Sequence, residues 1–380
     1  MKDYLYFDYA AATPVDERVL AAMQPYFSAA FYNPSALYAP ALAVAKDVAA
    51  ARASIAAVLG ARPAEITFTA GGTEANNLAI QGVMAKFPGK HMVTTAIEHD
   101  SVLYPARKYD FTEVKPKPDG RIAIDGVANA IRDDTVLVSV QYANNEIGTV
   151  QPIRDIAALI DDIKQQRRKN SNDTPLYFHS DACQASLYLD LHVARLGVDL
   201  LTLNGGKMYG PKQSGLLYIK GGLVLMPLLL GGGQEAGVRS GTENVPFIIG
   251  LAKALELAQQ NRKAESERLH ALKDKFIKGL AEQLSRVEVT GTQKFRLPNN
   301  VHITIPGGDN ERLLFQLDEA GIMAAAGSAC SASRNEPSHV LRALGMSDEQ
   351  ARSSLRFSFG RATDEAAVDT LLRTLLKIVR

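Results

Sequence analysis

An α/β architecture, with a large, mainly parallel sheet between helices and a smaller α+β unit after it, is predicted by three observations. Short β-rich runs alternate with helical patterns through the first two thirds of the 380-residue chain. A long charged stretch with apolar residues at helical spacing follows. Beyond it, strand and helix patterns alternate again over shorter segments.

In chain order, β-rich runs fall at 66–69, 92–95, 136–140, 176–178, 200–203 and 216–219. A helix is predicted from Thr73 to about Lys86, where two glycines and a Thr cap end the first strand pattern. A second is predicted from Ile153 to about Gln166, ending in the polar stretch 165–173, which reads as a surface loop. Between 245 and 284 there is little Gly and no Pro after Pro246, so one long helix or two joined helices should lead out of the first domain. The segments 287–290, 300–305, 309–320, 355–359 and 364–378 then build the smaller unit. The expected division is 16–249 for the large domain, and 1–15 with 250–380 for the small one.

Composition fits an ordinary globular protein, with 46% hydrophobic and 22% charged residues and a formal net charge of +1. That balance gives no field arguing for nucleic acid or membrane attraction. No apolar run is long enough for a signal peptide or a membrane span, so a cytoplasmic location is expected by default. The two cysteines, Cys183 and Cys330, cannot make a disulfide framework and match no zinc ligand spacing, so no metal is expected.

Asp181 in His179-Ser-Asp-Ala-Cys-Gln184 and Lys207 in Asn204-Gly-Gly-Lys-Met-Tyr-Gly-Pro211 each sit just after an apolar run. Together they suggest a pyridoxal phosphate site. That cofactor needs a lysine amine to hold it as a Schiff base and a carboxylate to keep its pyridine nitrogen protonated. Either residue alone has a bland reading, as a helix cap or a solvated loop residue. Other strand ends add to the pattern. Thr69-Ala-Gly-Gly-Thr-Glu-Ala-Asn-Asn77 offers bare backbone N–H groups to a phosphate at a helix N-terminus, with a simple capped turn as the alternative. His99 in Ile97-Glu-His-Asp100 could lie on the ring and move protons, although a lone His is more often structural. Asn144-Asn-Glu-Ile-Gly148 brings amide groups to the same edge, where open α/β sheets bind ligands.

Cys330 lies in Ala326-Gly-Ser-Ala-Cys-Ser-Ala-Ser-Arg334, a run of tiny and polar residues without a core pattern, which suggests an exposed loop carrying a nucleophile. Cys183 reads instead as a small buried filler. Arg356 in Ser353-Ser-Leu-Arg-Phe-Ser-Phe-Gly-Arg361 could clamp a carboxylate bidentately or make an ion pair. Thr242 in Arg239-Ser-Gly-Thr-Glu-Asn244 is a further candidate phosphate donor.

Taken in order, with Tyr6-Phe-Asp-Tyr-Ala-Ala-Ala-Thr-Pro14 at the start, these motifs resemble the cysteine desulfurases of the fold-type I, class V aminotransferase pyridoxal phosphate enzymes, over nearly the whole chain. Gly327-Ser-Ala-Cys330 followed by Glu336-Pro-Ser-His-Val-Leu-Arg-Ala-Leu-Gly345 is similar to the subgroup with a long catalytic-cysteine loop. The resemblance implies Lys207 as the Schiff-base lysine, Asp181 as the pyridinium partner, His99 as the stacked imidazole and Gln184 at the cofactor's phenolic oxygen. It implies Gly72 and Thr73 at the phosphate, Thr242 at the phosphate of the neighbouring subunit of a homodimer, and Asn33, Asn145 and Arg356 at the substrate. L-cysteine would be converted to L-alanine, leaving a persulfide on Cys330 for a sulfur-acceptor protein in iron–sulfur cluster assembly or tRNA thiolation.

Where that family usually has Ser-Gly-His-Lys, this chain has Asn204-Gly-Gly-Lys207, and Tyr38 replaces a His often found after Asn-Pro-Ser. Asn204 can still donate to a phosphate, whereas Gly206 brings only its backbone; each lost bond weakens cofactor retention by about 1–3 kcal/mol. Two alternatives stay open: a selenocysteine lyase on the same fold, or a catalytically silent sulfur-relay or scaffold protein.

Overall fold

The computed structural model describes residues 4–327 and 336–379. Its strands are β1 (Leu5–Tyr6), β2 (Ile66–Thr69), β3 (His91–Thr95), β4 (Asp110–Val114), β5 (Thr135–Ser139), β6 (Tyr177–Asp181), β7 (Leu200–Asn204), β8 (Gly215–Ile219), β9 (Glu288–Val289), β10 (Asn300–Thr304), β11 (Ile322–Met323) and β12 (Ser354–Ser358). Seven of them form one sheet in the order β2-β8-β7-β6-β5-β3-β4. Neighbours from β7 through β6, β5 and β3 to β4 pair in parallel, while β8 is antiparallel to both β7 and β2.

This sheet is covered on both faces, which is why its inner strands read as continuous apolar runs. Successive residues still point to opposite sides. Leu137, Leu200 and Leu217 join one apolar cluster, with Ala75, Leu78, Ala79 and Val83 of helix α3 (Gly72–Lys86), which follows α1 (Glu17–Met23) and α2 (Ala39–Leu59). Val138, Leu201 and Leu216 join a second, larger cluster on the other face. The predicted strands appear within a residue or two of their expected bounds, except that β6 runs on to Asp181, three residues past its expected end.

Three differences have physical causes. The edge strand β4 escaped the sequence reading because its residues, Asp-Phe-Thr-Glu-Val, are half charged or polar and pair only with β3. The helix Ala39–Leu59 is rich in alanine on every side, so it shows little apolar periodicity despite high intrinsic propensity. The polar stretch expected to loop from 165 is still helical through Lys169, because Arg167 of the helix Ile153–Lys169 is buried and donates to the carbonyls of Thr135, Thr174 and Arg132.

The single helix Val245–Gln283 spans 39 residues and carries Phe276 into ring contact with Phe357 and Phe359, at 5.5 and 5.8 Å between centroids. Those rings flank a three-stranded antiparallel sheet, β12-β10-β9. The segment from Leu5 to Asp8 belongs to this end of the molecule: β1 pairs with β11, and Asp8 bridges to Ser358. No helix among the described residues is long and apolar enough to cross a membrane.

Candidate active site

Five segments that leave the carboxyl ends of β2, β3, β5, β6 and β7 meet in one cleft of about 300 Å3. Its lining includes Gly72, Thr73, His99, Asn145, Asp181, Gln184, Asn204 and Lys207, with Arg356 from β12. A crevice at the carboxyl edge is the expected ligand site of a parallel sheet, because there the helix N-termini and strand-end side chains converge.

Lys207 ends the tight turn Gly205–Lys207 that follows β7. Its Nζ donates to the carbonyls of Ala10 (2.9 Å) and Ala11 (2.6 Å), which tethers it to the N-terminal segment. Burial, then repulsion from Arg356, lowers its pKa below the ordinary lysine value, although Cys183, Asp8 and Asp181 pull the other way. A lowered pKa is what an amine needs to act as a nucleophile near neutral pH.

Asp181, the last residue of β6, is held from two sides: its Oδ2 accepts from Asn76 Nδ2 at 2.7 Å and its Oδ1 from the Cys183 backbone N–H at 2.9 Å. The same Asn76 amide donates to Ser101 Oγ at 2.8 Å. Ser101 in turn addresses His99 Nδ1 twice, through its hydroxyl at 2.8 Å and its backbone N–H at 3.1 Å. Because Nδ1 accepts from a backbone N–H, it cannot carry a proton, so the exchangeable proton of His99 sits on Nε2. A continuous polar chain therefore runs from Asp181 through Asn76 and Ser101 to His99.

Arg356 is only 1% exposed. Its Nη2 pairs with Asp8 Oδ1 at 2.6 Å and its Nη1 donates to the Asn145 carbonyl at 3.0 Å, while its buried Nε has no partner among the described residues. The ion pair is thus internal rather than on the surface. Gln184 also lines the cleft, and its Nε2 donates to Ala10 O at 3.0 Å.

Helix α3 begins at Gly72, and Gly71 before it has φ of 141°, a region that favours glycine. A Cβ on Gly72 would come 2.8 Å from Cys183 Sγ, so the glycine makes room for close approach to the helix N-terminus. Cys183 is accordingly half-buried in the cleft wall beside Asp181, not packed in the core as expected. Burial first, and Asp181 next, push its thiol well above the ordinary range.

Not every expected residue enters the cleft. Asn33 lies exposed on its loop with its Oδ1 accepting from Ser35 N at 2.9 Å, and Thr242 is exposed outside the cleft of its own chain. Cys330 lies outside the described residues. Further along the chain, Ser338 Oγ donates to Glu146 Oε2 at 2.6 Å and His339 Nε2 contacts the Glu98 carbonyl at 2.9 Å, next to Asn145 and His99 respectively. Asp8, Asn76 and Ser101 were not singled out in the sequence; each stands inside or beside a quoted motif, but only the fold pairs it.

The cleft fits pyridoxal phosphate: an amine with lowered pKa, a carboxylate, an imidazole and a glycine-opened helix N-terminus occupy one cavity, and Arg356 Nε and Asn76 Oδ1 are buried without partners among the described residues. Comparisons agree with this geometry. The aminotransferase class-V family model matches residues 5–371. A cysteine desulfurase IscS of Clostridium botulinum is 40% identical over 389 aligned positions, covering 100% of this chain and 95% of the relative. A putative cysteine desulfurase IscS 1 of Bacillus subtilis is 41% identical, covering 99% and 98%. Among solved structures, a NifS-like protein superposes with a TM-score of 0.89 at 30% identity, covering 99% of each chain. The structure titled SspA in complex with cysteine matches with a TM-score of 0.81 at 37% identity, covering 93% of this chain and 98% of the other.

Proposed function

The chain belongs to the aminotransferase class-V family, and from that premise we propose that it is a pyridoxal phosphate-dependent cysteine desulfurase. The observation that carries this reading is the opening of Lys207 and Asp181, from neighbouring strand ends, into the cleft that also holds His99. When bound, the cofactor supplies an electron-withdrawing ring that makes the substrate's Cα proton removable. Lys207 Nζ would hold it covalently and, once freed, take that proton. The Asp181 carboxylate, oriented by Asn76, would keep the ring nitrogen protonated. His99, with its proton on Nε2, would stack on the ring and hand a proton to the reacting group. Gln184 would meet the phenolic oxygen, while Gly72, Thr73 and Asn204 would hold the phosphate. Arg356, through its Nε, and the Asn145 amide would orient the substrate carboxylate and amine, with Asn33 contributing from its loop.

Cys330 would then attack the sulfur of L-cysteine. The new S–S bond forms as the substrate Cβ–S bond breaks, and the electron pair stays with the carbon skeleton, which leaves as alanine after protonation. The persulfide would pass to a sulfur-acceptor protein serving iron–sulfur cluster assembly or tRNA thiolation. We also propose a homodimer in which Thr242 reaches the partner's phosphate. Residues 16–249 would hold the cofactor, and 1–15 with 250–380 would form the smaller unit bearing Cys330.

The test is a comparison of Cys330→Ser with the wild type. The variant should still change the visible spectrum on addition of L-cysteine, while alanine formation falls about 10²–10⁴-fold, as for the loss of an essential catalytic group. Undiminished alanine formation would move the nucleophile elsewhere.

A further inference from the structure

Among the described residues, the charge pairs at the α3 end of the cleft leave one cation unassigned. Glu74, in the first turn of α3, places a carboxylate there; its Oε2 accepts from Ala70 N at 2.8 Å and its Oε1 from Arg239 Nε at 2.8 Å, so Glu74 and Arg239 neutralise each other. Arg356 is likewise matched by Asp8 at 2.6 Å. Lys207 is committed to the covalent link. A phosphate monoester carries about −1.5 to −2 charges at neutral pH, and a helix N-terminus answers only about half a charge of that.

Lys212, an exposed residue, lines an opening that adjoins the cleft with Gly72, Thr73, Asn204 and Gly206, and no carboxylate pairs with it among the described residues. Gly206 provides the space. A Cβ built there would stand 3.6 Å from Lys212 Cγ and 3.5 Å from Asn204 Oδ1, which is ordinary contact, so no atom fills the gap between them. Asn204 Oδ1 accepts from Gly206 N at 3.0 Å, and the amide nitrogen is the donor that this side chain can offer a phosphate. The lysine ammonium lies two methylenes beyond Cγ on a flexible stem and can swing into this space.

We propose that Lys212 binds the cofactor phosphate, its ammonium occupying the space that Gly206 leaves beside Asn204 and the N-terminus of α3. This rests on the pyridoxal phosphate reading given above, and deepens it. It also accounts for a phosphate cup in which residue 206 has no side chain.

The experiment measures cofactor release from the holoenzymes of wild type, Lys212→Met and Lys212→Arg by loss of visible absorbance on dialysis, followed by rebinding of pyridoxal phosphate or of pyridoxal. Lys212→Met should weaken pyridoxal phosphate binding about tenfold or more, as for a lost charge-assisted hydrogen bond, with a smaller effect at high salt. Lys212→Arg should retain most of the affinity, and pyridoxal should bind all three proteins alike. Equal retention of pyridoxal phosphate by Lys212→Met overturns the proposal, as does a parallel loss of both ligands. A wild type that binds pyridoxal as tightly as pyridoxal phosphate would overturn the placement of the phosphate itself, a separate failure.

Discussion

Glu98, the residue before His99, is fully buried, and its Oε1 accepts both the Thr95 hydroxyl at 2.7 Å and the Gln141 N–H at 2.9 Å. Burial, more than these bonds oppose it, pushes its carboxyl up to about 8, and the Asp181 charge adds to the rise. A carboxyl raised in the folded state favours folding fully below its unfolded value near 4.5, and that contribution is lost as pH rises toward about 8. Melting temperatures measured against pH should therefore show the wild type losing stability over that window relative to Glu98→Gln, whose curve should be flatter. Parallel curves for the two proteins would mean that Glu98 does not titrate there. At this scale Lys207, Asp181, His99 and Arg356 were legible because each sits in a motif at a strand end or on a strand. Their supports were not: Asn76 meets Asp181 across 105 positions and Asp8 meets Arg356 across 348, pairings that no local pattern encodes.

The elements converge on the site because parallel strands deliver their carboxyl ends to one edge. The antiparallel strand β8 brings its first residue, Gly215, to that same edge. A Cβ on Gly215 would meet Gly71 C at 2.6 Å, Gly71 Cα at 2.7 Å and the Leu203 carbonyl at 2.9 Å. These are backbone atoms that cannot swing aside. Gly215→Ala should cost about 1–3 kcal/mol of stability, the usual range for overpacking. By displacing the turn before α3, it should also speed cofactor release. Thermal melts and dialysis check both effects, and a variant matching the wild type in each would show that the turn tolerates the methyl group. Most strands were readable because their β-rich runs are continuous. Among the elements that stayed hidden were the polar edge strand β4 and the alanine-rich helix Ala39–Leu59, where burial and packing, not pattern, decide the outcome.

Over the whole molecule, several large apolar side chains remain exposed: Phe31 at 67%, Leu37 at 88% and Leu230 at 84%. With Thr242 outside its own cleft, they support the proposed homodimer, since exposed apolar groups favour a covering partner. Sedimentation equilibrium should give twice the 41.0 kDa chain mass, whereas a monomer at micromolar concentration would remove Thr242 from the phosphate site. The fold class was legible from the rhythm of strands and helices alone, and the order of motifs then carried the reading from fold to chemistry. The central claim is that the Lys207 cleft performs desulfuration. Its most direct test is alanine formation from L-cysteine by the purified protein, supplied with pyridoxal phosphate and a thiol reductant. The account expects many alanine molecules per active site, with sulfide released in equal amount. A fully cofactor-loaded protein that forms no alanine, even in a single turnover, would contradict it.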